Sequence, residues 1–438
     1  MSVASTKNTK TKDILRVIGG NFLEMFDFMV YGFYASYIAH ALFPPGDEDF
    51  ALVLSWVTFG IGFLMRPLGA IVLGAYADKH GRRAGLILSL SLMAAGVVLI
   101  AFVPNYATIG MAAPVLVIIG RLLQGFSAGA ETGTVSVYLS EIARPGRKGL
   151  YVSLQTVSQQ IAVIFAAVIG VCLRFNLSPE QMQDWGWRVP FVIGSLLVPL
   201  ILYMRRSLKE TDEFQARKVR PGMRQICRTL LSNWKIVGTA IMMITLTAVT
   251  FYLITAYMPT FGKQVLGLDA MDGFIVTICL GLANTVWMPI AGAWSDRIGK
   301  TPIMLSAAIA LALFAYPCMK WLVAAPSFER LLIVELFLGS IYGMWQGVLV
   351  SALVDMMPAH IRTSGWSLAY SLTYAIFGGF TPALVTYLIQ TTGDRAIPGI
   401  ALSGAAAVGI AGTLLARKYL IAPQAVPQGD MASETPTA

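Results

Sequence analysis

Charge is what this chain has little of. Only 13% of its 438 residues are Asp, Glu, Lys or Arg, where a soluble domain carries about 25%. With 56% hydrophobic residues and a mean hydropathy of +0.68, that shortage excludes an ordinary soluble domain. Histidine is rarer still. His40, His80 and His360 are the whole complement, all at predicted helix ends or loops, so interior proton chemistry falls to carboxylates. The four cysteines, Cys172, Cys227, Cys279 and Cys318, are scattered, which excludes metal-ligand spacing and leaves packing as their role. No metal site and no cofactor are expected. Without a Walker loop or any nucleotide motif, neither an ATP-driven pump nor an enzyme is expected. The polar start, residues 1–13, lacks a small-residue cleavage site, so the first apolar run is read as uncleaved.

What the chain does have is apolar runs long enough to cross a bilayer, which takes roughly 20 residues. Twelve are predicted, at about 14–40, 52–77, 84–103, 112–140, 150–173, 188–205, 235–261, 273–296, 302–323, 331–355, 363–390 and 397–418. The fold class is therefore an all-α membrane protein of twelve transmembrane helices. A hydrophilic cytoplasmic linker, 206–234, divides it into six-helix bundles at 14–205 and 235–418. An N-terminal tail, 1–13, and a Pro-, Ala-, Gln- and Thr-rich tail expected to be disordered, 419–438, flank them. The net charge of +9 is placed very unevenly. With both termini inside, the outer loops hold only Arg174, Arg188, Lys263, Lys320, Arg330 and Arg395. Apart from Arg66 and Arg121, which lie within predicted helices, the other basic residues crowd the inner side, as the positive-inside rule requires. The basic balance thus reads as topology, with a lipid bilayer as partner and no nucleic acid.

The first apolar segment is unusual. Asn21, Glu24, Asp27 and Tyr31 lie three or four residues apart and share one helix side. A charge near a bilayer centre costs at least about 2.5 kcal/mol, so two carboxylates on one face predict a partner charge or a water-filled cavity. The other charges in predicted helix interiors are Arg66, Arg121 and Glu131, with Glu335 and Asp355 nearer the ends of the tenth. The first half is therefore expected to handle charge and protons, and the second to complete a substrate cavity.

An internal repeat supports the division. Gly74-Ala75-Tyr76-Ala77-Asp78-Lys79-His80-Gly81-Arg82-Arg83 follows the second segment, and Gly292-Ala293-Trp294-Ser295-Asp296-Arg297-Ile298-Gly299-Lys300-Thr301 follows the eighth. Glycine permits a tight turn and close helix approach. Asp78 and Asp296, with Arg82, Arg83 and Arg297, can bridge neighbouring helix ends where a gate would close.

With these loops the chain resembles the major facilitator superfamily, whose signature is G-x-x-x-D-[RK]-x-G-[RK]-[RK]. It is matched in full at 74–83 and in part at 292–301, where Thr301 replaces the last basic residue. Further stretches narrow the likeness: Gly20-Asn21-Phe22-Leu23-Glu24-Met25-Phe26-Asp27-Phe28, Phe63-Leu64-Met65-Arg66-Pro67-Leu68-Gly69-Ala70, Gly120-Arg121-Leu122-Leu123-Gln124-Gly125 and Trp185-Gly186-Trp187-Arg188-Val189-Pro190-Phe191. They look like the metabolite:proton symporter branch, and within it the citrate and tricarballylate proton symporters of bacteria. The resemblance implies two six-helix bundles about a central cavity, alternating access, and a multi-pass carrier of the bacterial inner membrane. It also implies protons as the coupling ion, a small organic acid as substrate, and a monomer. It further implies that Asp27 couples protons through Arg121 of the R-x-x-x-G motif.

The remaining assignments rest on residue chemistry. Glu24 and Glu131 are alternative proton carriers. Arginine's planar fork suits carboxylates, so Arg66 is the first substrate ligand, with bracing of Glu24 as its other reading. Arg121 is shared between the proton and the substrate. Asn21, Tyr31, Gln124, Gln159, Asn284, Gln346 and Tyr370 are the neutral substrate contacts, and Pro259, Pro289 and Pro382 are potential kinks. Dicarboxylate or α-ketoglutarate carriers and betaine or proline carriers share much of this pattern. A quaternary amine would favour an aromatic cage over free arginines. A transporter-like sensor is the other class considered, and a channel a further one.

Overall fold

The computed structural model describes residues 2–44, 48–80, 82–129, 131–144, 146–206, 232–357 and 362–421. All of the regular structure among them is helical. In the first half, α1 runs over Ser2–Phe33 and, past a break at Tyr34, Ala35–Leu42. It reaches back beyond the expected start because no Pro or Gly interrupts the chain before Gly19. Next come α2 (Glu48–Leu64 and Arg66–His80), α3 (Arg82–Phe102), α4 (Ala112–Ala128 and Glu131–Glu141), α5 (Lys148–Asn176) and α6 (Val189–Arg206). The second half has α7 (Trp234–Phe251 and Met258–Gln264), α8 (Ala270–Ile298), α9 (Lys300–Ala324), α10 (Phe328–Met356), α11 (Arg362–Thr373 and Thr381–Thr392) and α12 (Ile397–Ile421). Among the described residues α2, α5 and α7–α12 are long and apolar enough to span a membrane, and shorter apolar stretches lie in α3, α4 and α6. The linker over 207–231 and the tail over 422–438 fall outside the described residues.

Two proline positions shape the second half. Pro259 and Pro382 each stand at the start of a helix that follows a π-helical turn, Tyr252–Tyr257 in α7 and Tyr374–Gly378 in α11. Proline cannot donate to the carbonyl one turn back, and the wider turn absorbs the mismatch. Such turns re-aim side chains and recur at functional positions.

Glycine sets how closely the helices approach. A Cβ on Gly125 would sit 1.5 Å from the Gly62 carbonyl oxygen, one on Gly69 1.8 Å from that of Phe126, and one on Gly129 2.1 Å from that of Arg66. The backbones of α2 and α4 are therefore in direct contact, which brings Arg66 and Arg121 into one region. Between the halves, α5 packs along α8, α1 meets α7, and α2 meets α11. We expect Gly125→Ala to force α2 and α4 apart, costing about 1–3 kcal/mol by overpacking. Thermal unfolding in detergent should show a lowered midpoint; an unchanged midpoint would contradict the contact.

A candidate substrate and proton site between the two halves

The polar face of α1 looks inward, as its pattern demands. Asn21, Glu24, Asp27 and Tyr31 are all buried. Asn21 Nδ2 donates to the Gln155 carbonyl (3.3 Å) and to Ser158 Oγ (3.2 Å), while Gln159 Nε2 donates to Asn21 Oδ1 (3.3 Å). Asn21 and Gln159 thus fasten α1 to α5. The Tyr31 hydroxyl donates to the Ser55 carbonyl at 3.3 Å, tying α1 to α2.

Lower on the same face, Glu24 Oε1 lies 3.2 Å from Arg66 Nη2. The bracing role considered for Arg66 is therefore present, and a neighbouring helix supplies the carboxylate that α2 lacks. Arg66 is also sheathed by rings. Its guanidinium carbon lies 4.6 Å from the Phe28 centroid, 4.5 Å from Phe63 and 5.7 Å from Tyr374. Arg121 is held the same way, at 4.5 Å from Phe28, 4.7 Å from Tyr31 and 5.0 Å from Phe59. A desolvated cation over an aromatic face gains about 2 kcal/mol. The single ring of Phe28 serves both arginines.

The edges of the two guanidiniums are only partly engaged. Arg121 Nη1 donates to Gln124 Oε1 at 2.7 Å and Nη2 to the Phe59 carbonyl at 3.4 Å. Nε of Arg121 and Nε of Arg66 have no hydrogen-bond partner among the described residues. Asp27 is the carboxylate that acts electrostatically on Arg121. It forms no ion pair among the described residues, and its Oδ2 has no hydrogen-bond partner there. The expected close Asp27–Arg121 contact is thus a longer-range attraction in this conformation, because Gln124, three residues along the same helix, takes the nearer place. Two guanidiniums and two carboxylates share one buried, aromatic-walled space, so the site can approach neutrality.

The second half completes the walls. The π turns of α7 and α11 bring the Tyr252 and Tyr374 rings within 5.9 Å of each other, and the Tyr374 ring lies 4.1 Å from that of Tyr370, tilted by 30°. Gln346 accepts from Thr247 Oγ1 at 3.0 Å. Gln155, Gln159, Thr247, Gln346 and Tyr370 line a small cavity of about 10 Å³, which brings Gln159, Gln346 and Tyr370 together. Asn284 is not. It is buried against Gly343 in the α8–α10 seam, a position that helix rotation decides and sequence spacing does not.

Both ends of the interface are shut. At one end, Cβ atoms on Gly32 and Gly60 would lie 3.2 Å from Ala256 and 2.8 Å from Phe380, and Trp56 meets Tyr257 edge-on at 5.7 Å. At the other, Asp296 of the second loop motif reaches across to α5. It accepts from the Gly149 amide at 2.8 Å and the Leu150 amide at 3.2 Å, capping a helix whose own N-cap residue, Arg147, makes no side-chain cap. Lys148 of α5 and Lys300 of α9 both pair with Asp355 of α10. Gly149 and Gly292 touch backbone to backbone, and Gly299, at φ 87, makes the turn a side chain would strain. Arg297 is exposed and outside this cluster. Gly81 and the side chains of Asp78, Arg82, Arg83 and Glu131, with the surroundings of Gly74, lie outside the described residues.

Sequence reasoning missed Asp355 as the bridge between Lys148 and Lys300. It also missed the sheath of Phe28, Phe59 and Phe63, whose residue types look the same whether they face lipid or a guanidinium. The only available signal was their spacing beside Asp27 and Arg66.

Comparison with known proteins agrees with this architecture. The model of the Major Facilitator Superfamily matches residues 17–382. A relative named citrate-proton symporter, from Klebsiella pneumoniae, is 52% identical over 424 residues, covering 97% of this chain and 95% of that protein. Another of that name, from Salmonella typhi, is 51% identical, covering 93% and 95%. The alpha-ketoglutarate permease of Escherichia coli (strain K12) is 35% identical, covering 85% and 87%. Among solved structures, a D-xylose-proton symporter superposes with a TM-score of 0.75 at 17% identity, covering 94% of this chain and 98% of that one, a likeness of fold.

Removing the Asp296 carboxylate should loosen this closed end. We expect Asp296→Ala to lose about 1 kcal/mol of capping and to speed alkylation of a Ser153→Cys reporter by a polar maleimide. An unchanged rate would mean that the cap does not hold the two halves together.

Proposed function

Since this chain belongs to the Major Facilitator Superfamily, we propose that it is a proton-coupled secondary transporter that imports citrate across a bacterial inner membrane by alternating access. Protons are the coupling ion, and the cycle needs no further cofactor. The observation that carries the anionic substrate is the pair of buried guanidiniums, faces covered by rings and edges only partly used. Such an edge accepts a carboxylate bidentately. The rings that could cage a quaternary amine are engaged by the protein's own Arg66 and Arg121, which argues against betaine. The nearly full-length likeness to citrate-proton symporters supports citrate over a dicarboxylate.

The chemistry of coupling follows from charge balance. Glu24 and Asp27 offset Arg66 and Arg121 before substrate arrives. A citrate carboxylate competes with them for the guanidinium edges, and a displaced carboxylate in a buried site takes up a proton. Asp27, whose oxygens are the less tightly held, is the proton carrier, and Glu24 and Glu131 are alternatives. Gln124 aims Arg121, Asn21 and Gln159 keep α1 on α5, and Gln346 and Tyr370 meet the substrate from the second half. Moving each negative charge against an inside-negative potential costs about 2.3 kcal/mol per 100 mV, so a trianion needs about three protons for neutral entry. The loop-motif end faces the cytoplasm, with both termini, because the basic residues crowd that side. One chain supplies both walls of the site, so a monomer suffices.

Purified protein in liposomes should accumulate labelled citrate under an inward proton gradient, with tricarballylate and α-ketoglutarate as competitors. Asp27→Asn should reduce accumulation to simple equilibration while citrate counterflow persists. Full accumulation in that variant would sink the assignment of Asp27, and lack of gradient-driven uptake by the wild type would sink the transport reading.

A further inference from the structure

The first half holds the carboxylates of the proposed cycle, yet an acid with no partner among the described residues lies in the second half. Glu335, in α10, has no exposed surface. Neither of its carboxylate oxygens has a hydrogen-bond partner among the described residues, and no charged group there acts on it. On the helices that pack against α10, the ionisable side chains include Asp272 and Cys279 on α8, Tyr316, Cys318 and Lys320 on α9, Cys172 and Arg174 on α5, Tyr252, Tyr257 and Lys263 on α7, and Arg417, Lys418 and Tyr419 on α12, with Glu329, Arg330 and Tyr342 on α10 itself. None of them forms a hydrogen bond or ion pair with Glu335. A carboxylate charge buried without a partner costs several kcal/mol even after relaxation, so the neutral acid is the form that this closed conformation can hold.

The seam it lies on is closely packed over glycines. Cβ atoms on Gly339, Gly343 and Gly347 would meet Leu280, Asn284 and Met288, so α8 and α10 run side by side in constant register. Continuing one turn further sets Glu335 level with Val276, also buried. Small residues let two helix backbones approach closely. Asn284, on the same seam, is buried with both amide atoms unpartnered among the described residues. The closed conformation therefore leaves two buried polar groups without a protein partner among the described residues on one glycine-lined contact. Water entering between α8 and α10 would satisfy both.

We propose that Glu335 is a second proton-binding site, loaded when the α8–α10 seam is closed and the acid is buried, and discharged when the seam opens to water. A proton that binds one conformation better than the other shifts their balance by that difference. This couples the second half to the cycle, and it rests on the reading of the chain as a proton symporter. It also supplies one of the several protons that a trianion calls for.

The test compares Glu335→Gln, which mimics the neutral acid, with Glu335→Asp, which keeps an acid in place. In proteoliposomes, Glu335→Gln should carry one proton fewer per citrate, measured by the gradient that just balances the citrate gradient. Under a one-unit pH difference its steady-state accumulation should fall about tenfold. Citrate counterflow should continue, and Glu335→Asp should keep the wild-type ratio. A wild-type ratio in Glu335→Gln, or loss of counterflow in folded Glu335→Gln, would overturn the proposal. Infrared difference spectra of the wild-type protein provide an independent readout that needs no substrate. A protonated-carboxyl band that appears as pH falls and shifts in Glu335→Asp supports the site, and a spectrum identical in the two proteins overturns it. Should wild-type protein accumulate no citrate, the transport reading fails, while the infrared band still decides whether Glu335 binds a proton.

Discussion

Two guanidiniums buried in an apolar bundle are the constraint around which the rest of this structure is arranged. Neither Arg66 nor Arg121 has appreciable contact with water, and each would be prohibitive alone in a membrane interior. The protein answers with two kinds of partner. Rings of Phe28, Tyr31, Phe59, Phe63 and Tyr374 cover the cationic faces. Glu24 and Asp27, from one face of α1, supply the balancing charge. The division has a consequence for function. Aromatic faces attract the cation without consuming its N–H groups, so hydrogen-bonding edges stay available for an anion. The same guanidiniums held only by carboxylates would be bound at their edges.

That arrangement depends on backbone proximity that only glycine allows. Gly62, Gly69, Gly125 and Gly129 let α2 and α4 touch, which is why two arginines on different helices share the ring of Phe28. Charge of the opposite sense organises the end that carries the loop motifs. Asp296 sits on the positive end of the α5 dipole, and Asp355 gathers a lysine from each half. These contacts join the halves through a few polar groups over glycine contacts, with no large interlocking side chains between Gly149 and Gly292. Such an interface can separate as a unit, as alternating access requires.

Much of the fold was legible because membrane helices advertise themselves. The twelve predicted segments each fall on one of α1–α12, since the length of an apolar run is a local property set by bilayer thickness. The inward face of α1 was legible for a similar reason: polar groups at helical spacing in an apolar run have one tolerable direction to point. Partnership was harder. Asn21 and Tyr31 carry the residue types of a substrate site, but they bond to α5 and α2. Asn284 and Gln346 look alike as neutral amides in apolar helices, yet one lies in a seam and the other lines the central cavity.

By itself the sequence determined the class of the molecule, its twelve crossings, its duplicated halves and the small set of residues able to carry charge through a bilayer. Those follow from composition and periodicity, which act over one or two helical turns. The tertiary structure alone decided that Glu24 takes Arg66, that Gln124 stands nearer to Arg121 than Asp27 does, that Asp296 caps a helix of the other half, and that Glu335 has no hydrogen-bond partner among the described residues. Each of these turns on the rotation and register of helices far apart in the chain. A shift of one residue rotates a side chain by about 100°, so no local pattern can specify which of two carboxylates meets which arginine.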